Sequence, residues 1–258
     1  MTAYLLAALD MAGTTVDEGG LVYAALEAAV AEAVGGPVPN ELMLQWKGTS
    51  NEETIAGLLN AMGSDDSRTR VLAVYEVFAG KLAEAYCTTP PAPVAGAAEM
   101  FETLRRAGVK VALQTGYAKP VANSIMTGLG WTVGEMVDAL VTSDTVAASR
   151  PAPYLIFHAM EATGVWDVRR VLTAGDTPND LAVGMNAGAG FVVGVTTGSF
   201  TRSQLEAEPH THSSTASPPW PHCSEDVQSR GSNWSMRTPV SQCSYCSGFQ
   251  PRLPTRSR

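Results

Sequence analysis

The sequence predicts an α/β fold, in which a parallel sheet carries helices on both faces and an all-helical insertion follows the first strand. Short apolar runs alternate with helix-like segments from residue 96 onward, and repeated βα units of this kind form parallel sheets. The first apolar run, residues 4–9, is instead followed by a long stretch of helical periodicity. Polar residues directly after such runs are expected at the carboxyl edge of the sheet, where open α/β sheets bind ligands.

The helical insertion covers residues 18–90. Apolar side chains repeat on one face of Ala- and Glu-rich segments, and the proline-rich stretch 90–93 marks the end of the insertion. Helices are expected at Leu21–Val34, from 41 after a cap at 40, from a capping box at 50–53 to 62, and at 67–86. The insertion is expected to cover the carboxyl edge of the sheet.

Strands and helices alternate after the insertion, so the core is predicted to comprise residues 1–17 and 91–212. Strands are expected at 109–113, Ala139–Thr142, 171–174 and 191–195, and helices at 96–106, 119–129, 153–163 and 179–187.

Composition favours an acidic cytoplasmic enzyme. The 258 residues suffice for one α/β domain with an insertion. A net charge of −8 without a basic patch argues against nucleic-acid binding. No apolar run approaches the roughly 20 residues that span a bilayer, and no basic segment precedes the first apolar run as in a secretory signal. For the oligomeric state, a homodimer is one alternative.

The composition changes near Ser213. Residues 213–258 carry five Arg, two acidic residues and no Lys, and they show neither helical nor strand periodicity. Disorder is therefore expected in this tail. With one choice of codons compatible with residues 213–225, restoring one preceding base yields a short amphipathic helix and a stop. A frameshift origin is therefore a hypothesis for the tail.

Four polar clusters follow predicted strands. They are residues 10–14 (Asp-Met-Ala-Gly-Thr), 114–117 (Gln-Thr-Gly-Tyr), 149–153 (Ser-Arg-Pro-Ala-Pro) and 175–180 (Gly-Asp-Thr-Pro-Asn-Asp). A single acid after a strand is usually a helix cap or a turn former. Because parallel strands bring all four clusters to one edge of the sheet, together they predict a functional site.

The chemistry of these residues points to phosphoryl transfer. Asp10 can attack phosphorus and bind a metal, while Asp176 and Asp180 add hard oxygen ligands suited to Mg²⁺. Thr115 can hold phosphoryl oxygens, and Arg150 can neutralise charge on the nucleophile and on phosphorus. The metal would offset the repulsion between a carboxylate and a phosphoryl anion.

The substrate is expected to meet backbone amides and hydroxyls beside these residues. Gly13 allows a tight turn after the first strand, and the Thr14 hydroxyl with the nearby amides can face an anion. Gly116 and Tyr117 are the corresponding candidates in the second cluster.

In order and spacing, the four clusters resemble those of the haloacid dehalogenase (HAD) superfamily of aspartyl-phosphate hydrolases. The resemblance covers about residues 1–212, and the 175–180 cluster is its most specific part. It implies a Rossmann-like core, an α-helical cap formed by the insertion, and dependence on Mg²⁺. It also implies metal binding at Asp10, Ala12, Asp176 and Asp180.

Two departures from the superfamily pattern select a subgroup. Most phosphatases of the superfamily carry an acid where Ala12 stands and a lysine where Arg150 stands. Both features, together with Thr115-Gly116-Tyr117, resemble phosphonoacetaldehyde hydrolase (phosphonatase) and its relatives.

The resemblance also raises the question of a cap lysine. In phosphonatases a lysine three residues after a cap glycine forms a Schiff base with the substrate aldehyde. Counted from Gly48, that position is Asn51, which cannot form an imine. Lys47 is the nearest amine and the candidate for this role, provided that burial lowers its pKa. The alternative is that Lys47 is a solvated surface lysine.

The leading hypothesis is a Mg²⁺-dependent, phosphonatase-like hydrolase that acts on a small phosphonate or phosphorylated metabolite. Since Ala12 supplies no acid, the leaving group is expected to need little acid assistance. One alternative is a small-metabolite phosphatase resembling phosphoglycolate phosphatase. A second alternative is a non-catalytic protein that binds a phosphoryl ligand.

Overall fold

A six-stranded parallel sheet forms the centre of the computed structural model, which describes residues 4–213. The strands are β1 (Leu6–Asp10), β2 (Val16–Asp17), β3 (Ala92–Pro93), β4 (Lys110–Thr115), β5 (Ala139–Thr142), β6 (Val171–Gly175), β7 (Phe191–Gly194) and β8 (His212–Ser213). The order in the sheet is β5-β4-β1-β6-β7-β8, with every neighbouring pair parallel, while β2 and β3 form a separate antiparallel pair. The predicted parallel α/β fold is confirmed.

Nine α-helices occur among the described residues, and the first four lie in the insertion. They are α1 (Leu21–Val34), α2 (Asn40–Trp46), α3 (Asn51–Ala61), α4 (Arg68–Thr88), α5 (Ala97–Arg106), α6 (Lys119–Gly128), α7 (Tyr154–Thr163), α8 (Pro178–Ala187) and α9 (Arg202–Glu206). None of the helices in this part of the chain has the length and apolar character needed to cross a bilayer.

Helices cover both faces of the sheet, so both faces are buried. Successive residues of a strand point to opposite faces, and each face therefore has its own core. On β1, Ala7 and Leu9 belong to a core that includes the buried faces of α5, α6 and the helices of the insertion. Leu6 and Ala8 belong to a second core formed with α7, α8 and α9. β1 therefore lies between two apolar layers, and its last residue, Asp10, emerges from them at the carboxyl edge of the sheet.

The helices of the insertion pack mainly on one another, with α4 against α1 and α3. The capping box predicted at residues 50–53 is only half formed. Ser50 Oγ accepts the Glu53 backbone N–H at 3.2 Å, but Glu53 Oε1 accepts the Ser149 N–H, also at 3.2 Å. The Glu53 carboxylate therefore accepts a hydrogen bond from Ser149 of the core instead of from the Ser50 N–H at the start of its own helix.

A few short elements are not predicted from the sequence. The β2–β3 pair, α9 and β8 have between two and five residues each, too few for a periodic pattern. The predicted cap at Asn40 is the first residue of α2, which follows Pro39. The expectations of disorder and of a frameshift for the tail concern residues 213–258. Ser213 is the last residue of β8, and residues 214–258 lie outside the described part of the chain.

Candidate active site

The four polar clusters meet in one small cavity at the carboxyl edge of the sheet. Asp10, Thr115, Arg150, Asp176 and Asp180 all line it. The cavity measures about 30 Å³, which is room for about two water molecules. The convergence expected from the strand order is therefore present in the structure.

Arg150 is the central cation of the site and is 3% exposed. Its Nη2 donates to Asp10 Oδ1 at 2.7 Å, and its Nη1 lies 2.9 Å from Asp180 Oδ1. Nε and Nη2 also donate to Gln114 Oε1 at 2.9 and 2.6 Å, and Nη1 donates to the Gly48 carbonyl at 3.1 Å. Such a planar fork fixes the guanidinium in a way that a lysine could not.

Three buried carboxylates lie in the site, and two of them, Asp10 and Asp180, form ion pairs with the Arg150 guanidinium. Ligand oxygens of Asp10, Asp176 and Asp180 all lie within 4.8 Å of one another. Burial raises the pKa of Asp10 to about 7, against the opposing effect of Arg150. Burial, followed by Asp180 and Asp10, raises the pKa of Asp176 well above its usual range. Burial disfavours the charge on Arg150, but Asp180 and Asp10 outweigh it and raise the pKa of Arg150.

This donor set fits a hard divalent cation. Clustered carboxylate oxygens are the ligands that Mg²⁺ and similar ions prefer, and a second positive charge would balance the excess of carboxylates over Arg150. Ala12 also lines the cavity, but its side chain has no ligand atom. A metal contact there could come only from its main-chain carbonyl.

The acidic cluster predicts a pH-dependent effect of Mg²⁺ on stability. Because folding raises the pKa of Asp10 from 3.8 to about 7, the metal-free folded state binds more protons than the unfolded chain over this range, and its stability falls as pH rises. Mg²⁺ binds the deprotonated carboxylates, so at about pH 8 and 100 times its Kd it should raise the free energy of unfolding by about 2.7 kcal/mol. At about pH 5 the gain should be much smaller. Urea unfolding with and without Mg²⁺ at both pH values measures this, and an equal gain at both would contradict it.

Gly13 and Thr14 lie next to the Asp176 carboxylate and are not among the residues that line the cavity. Gly13 has φ +77°, and a Cβ there would come within 2.7 Å of Asp176 Oδ2. Thr14 Oγ1 donates to Asp176 Oδ1 at 3.5 Å. In this structure both residues therefore position a carboxylate; their predicted contact with substrate stays a prediction.

The second cluster does line the cavity. Thr115 Oγ1 accepts the Tyr117 N–H at 3.1 Å, which orders the turn after β4. The Gly116 carbonyl accepts the Asn51 N–H at 3.3 Å, and a Cβ on Gly116 would collide with the Thr49 carbonyl. Burial, and next to it the nearby Tyr86, raise the pKa of Tyr117 well above its ordinary value.

Residues 47–53 of the insertion, which we term the docking segment, close the cavity from above. Asn179 Nδ2 donates to the Lys47 carbonyl at 2.7 Å. A Cβ on Gly48, whose φ is +87°, would collide with Thr177 Oγ1. The predicted cover over the sheet edge is thus held by hydrogen bonds and by close backbone approach at Gly48 and Gly116.

The Lys47 side chain lies against Tyr23, with Nζ 4.5 Å from the ring centroid. Burial lowers the pKa of Lys47, and Asp176 and Glu18 partly offset this effect. The cavity is lined by Tyr23, Gly48 and Asn51 but not by Lys47. A Schiff base on Lys47 stays a prediction.

Two residues that shape the site, Gln114 and Tyr23, are not predicted from the sequence. Gln114 anchors Arg150 through both its side chain and its carbonyl. Tyr23 lines the cavity, and its hydroxyl accepts the Gly48 N–H at 3.2 Å. Gln114 stands within a cluster recognised in the sequence, whereas Tyr23 has no local signal because its place depends on how α1 packs.

The described residues form a parallel α/β fold with a cluster of buried carboxylates at the carboxyl edge of its sheet. The family model of the haloacid dehalogenase-like hydrolases matches residues 4–188, and the chain belongs to this family. The expected HAD resemblance is confirmed, and the protein is a hydrolase.

Sequence relatives of the chain include phosphonatases, and solved structures share its fold. It is 30% identical over 211 residues to a phosphonoacetaldehyde hydrolase from Lysinibacillus sphaericus, covering 78% of this chain and 77% of that protein. A hydrolase from Pseudomonas syringae shares the fold with a TM-score of 0.72 at 21% identity, covering 81% and 93% of the two chains. A phosphonoacetaldehyde hydrolase-like protein from Oleispira antarctica has a TM-score of 0.63 at 23% identity, covering 76% and 74%. The expected phosphonatase-like resemblance is confirmed.

Proposed function

We propose that the protein is a Mg²⁺-dependent, phosphonatase-like hydrolase that releases phosphate from a small phosphonate or phosphorylated metabolite. The observation that carries this proposal is the buried pair of Asp10 and Arg150, 2.7 Å apart, beside the carboxylates of Asp176 and Asp180. The 30% identity to a phosphonoacetaldehyde hydrolase supports it.

Asp10 is the nucleophile of the proposed reaction. Arg150 holds Oδ1, which fixes the carboxylate and leaves Oδ2 to attack phosphorus. A bond forms between Oδ2 and phosphorus as the bond to the leaving group breaks, and the leaving group keeps the electron pair. Water then attacks phosphorus, which releases phosphate and restores Asp10. Mg²⁺ held by the three carboxylates would offset repulsion between Asp10 and the phosphoryl oxygens.

Other residues receive supporting roles in this proposal. Thr115, Gly116 and Tyr117 contact the phosphoryl group or its substituent from the floor of the cavity. Ala12 leaves the site without an acid beside the nucleophile, so the substrate class is one whose leaving group departs without a proton from this position.

We further propose that residues 18–90 act as a cap over a core of residues 1–17 and 91–212. The cavity volume of about 30 Å³ is smaller than a phosphorylated metabolite needs. Substrate entry therefore requires the docking segment to separate from the core, and its return would exclude water from the site.

A phosphatase acting on small phosphate esters is the second candidate function. It is favoured by Asn51, which lines the cavity where the resemblance to phosphonatases leads one to expect a lysine. The two candidates share the attack by Asp10 and differ in whether an amine activates the substrate.

A screen for phosphate release tests the function. With Mg²⁺, the protein should release phosphate from at least one of phosphonoacetaldehyde, 2-phosphoglycolate and other small phosphate esters. Borohydride added with phosphonoacetaldehyde separates the candidates. Inactivation with a label on Lys47 supports the phosphonatase reaction, whereas ester hydrolysis without labelling supports the phosphatase. No release from any member of the screen would contradict both.

The Asn51→Lys variant offers a sharper comparison. A lysine at this buried position should have a lowered pKa and attack an aldehyde, so borohydride with phosphonoacetaldehyde should label position 51. Asn60→Lys, on the exposed side of the same helix, is the matched control and should remain unlabelled. Peptide mass spectrometry measures both. Equal labelling of the two variants would show that position 51 does not face the substrate site.

A further inference from the structure

The docking segment brings one unpartnered donor to the cavity. Asn51 is 5% exposed, and its Nδ2 has no hydrogen-bond partner. A buried amide without a partner is destabilising, so such a group in a cavity requires an acceptor that the protein itself does not supply.

The position of Asn51 is fixed by the backbone rather than by its side chain. It is the first residue of α3, whose start is capped by Ser50. Its N–H donates to the Gly116 carbonyl at 3.3 Å, next to Thr115 in the predicted phosphoryl-binding loop. The backbone of Asn51 is therefore held in place, while Nδ2 of its side chain has no hydrogen-bond partner.

The hydroxyl oxygens that the insertion contributes to the cavity each take part in a hydrogen bond within the protein. Thr49 Oγ1 donates to the Trp46 carbonyl at 2.8 Å, and Thr54 Oγ1 donates to the Ser50 carbonyl at 2.9 Å. Tyr23 accepts the Gly48 N–H. Among the described residues of the insertion that line the cavity, Asn51 thus carries a side-chain polar atom, Nδ2, that has no hydrogen-bond partner of any kind.

We infer that Asn51 determines specificity by donating a hydrogen bond to an acceptor oxygen on the leaving group, and that the substrates are small phosphonates or phosphate esters with a carbonyl or carboxylate beside the phosphoryl group. This inference rests on the proposed function, since it takes the cavity above Asp10 to be the leaving-group site. The asparagine selects its substrate by a hydrogen bond and forms no covalent bond with it.

Binding of three phosphonates that share a small frame tests the inference without requiring turnover. Calorimetry with Mg²⁺ compares ethylphosphonate, which has no acceptor, with acetonylphosphonate and phosphonoacetate. The protein should bind the two acceptor-bearing compounds about 10-fold more tightly or better. In Asn51→Leu this preference should disappear while the affinity for ethylphosphonate stays the same. In Asn51→Asp the affinity for phosphonoacetate should fall below that of Asn51→Leu, because two carboxylates repel each other.

The controls separate recognition from folding and from catalysis. Asn60→Leu should keep the preference of the unmodified protein. The melting temperature of Asn51→Leu should equal or exceed that of the unmodified protein, since the change removes an unpartnered buried amide. A preference retained in Asn51→Leu, or no binding of any of the three by the unmodified protein, would overturn the inference. A preference that depends on Asn51, with no phosphate release in the screen, would instead overturn the proposed function alone.

Discussion

Replacing Asp10 with asparagine is expected to reduce phosphate release by at least about 10⁴-fold, the scale on which removing a nucleophile acts. An asparagine amide cannot attack phosphorus or form the aspartyl-phosphate. The substitution also removes one of the two carboxylates that form ion pairs with Arg150. Steady-state rates with the best substrate from the screen, at saturating Mg²⁺, measure the loss.

The same variant should remain folded. Asparagine has nearly the shape of aspartate. Because burial raises the pKa of Asp10 to about 7, the charge on Asp10 adds little to the stability of the metal-free folded state at neutral pH. Asp66→Asn, at an exposed carboxylate that accepts from Asn60 Nδ2, is the matched control and should keep full activity. An active Asp10→Asn variant would show that Asp10 is not the nucleophile.

Replacing Arg150 with methionine is expected to be the most destabilising single change in the site. It removes the cation that neutralises Asp10 and Asp180 and leaves Gln114 and the Gly48 carbonyl without their donor. Removal of one partner from a buried ion pair costs about 3–5 kcal/mol in free energy of unfolding. Urea unfolding without metal measures the loss, and activity should fall with it because Asp10 loses its orienting hydrogen bond.

Two comparisons establish the cause of that loss. Mg²⁺ should recover more stability in Arg150→Met than in the unmodified protein, because it compensates carboxylates that no longer have a counter-ion. Arg169→Met, at an arginine whose side chain is 82% exposed, should change stability by less than about 0.5 kcal/mol. A fully stable and active Arg150→Met variant would contradict the electrostatic account of the site.

The sequence allowed the floor of the site to be predicted because its residues follow parallel strands. Asp10, Thr115 and Asp176 each stand at or just beyond the end of a strand, and strand order alone brings them together. Arg150 lies farther along the chain from the end of its preceding strand, β5, than these three residues lie from theirs. It nevertheless lines the same cavity at the carboxyl edge of the sheet. These predictions needed only local patterns and the rule that ligands bind at the carboxyl edge.

The roof of the site could not be predicted in the same way. Helical periodicity identifies α1 and α3 but does not give the angle at which they meet the core. The contacts of Tyr23, Gly48 and Asn51 depend on that angle. The link between Glu53 and Ser149 replaced an expected local cap for the same reason, since a donor distant in sequence competed with the nearby one. Specificity depends on these tertiary contacts.

The covalent intermediate on Asp10 is the central claim, and a rapid acid quench of a single turnover tests it most directly. With enzyme in excess over the best substrate from the screen, the peptide containing Asp10 should carry a phosphoryl group at early times. Borohydride reduction of that acyl phosphate should convert residue 10 to homoserine, which mass spectrometry identifies. Release of phosphate in the first turnover, with no phosphoryl group on Asp10 at any quench time, would contradict the account.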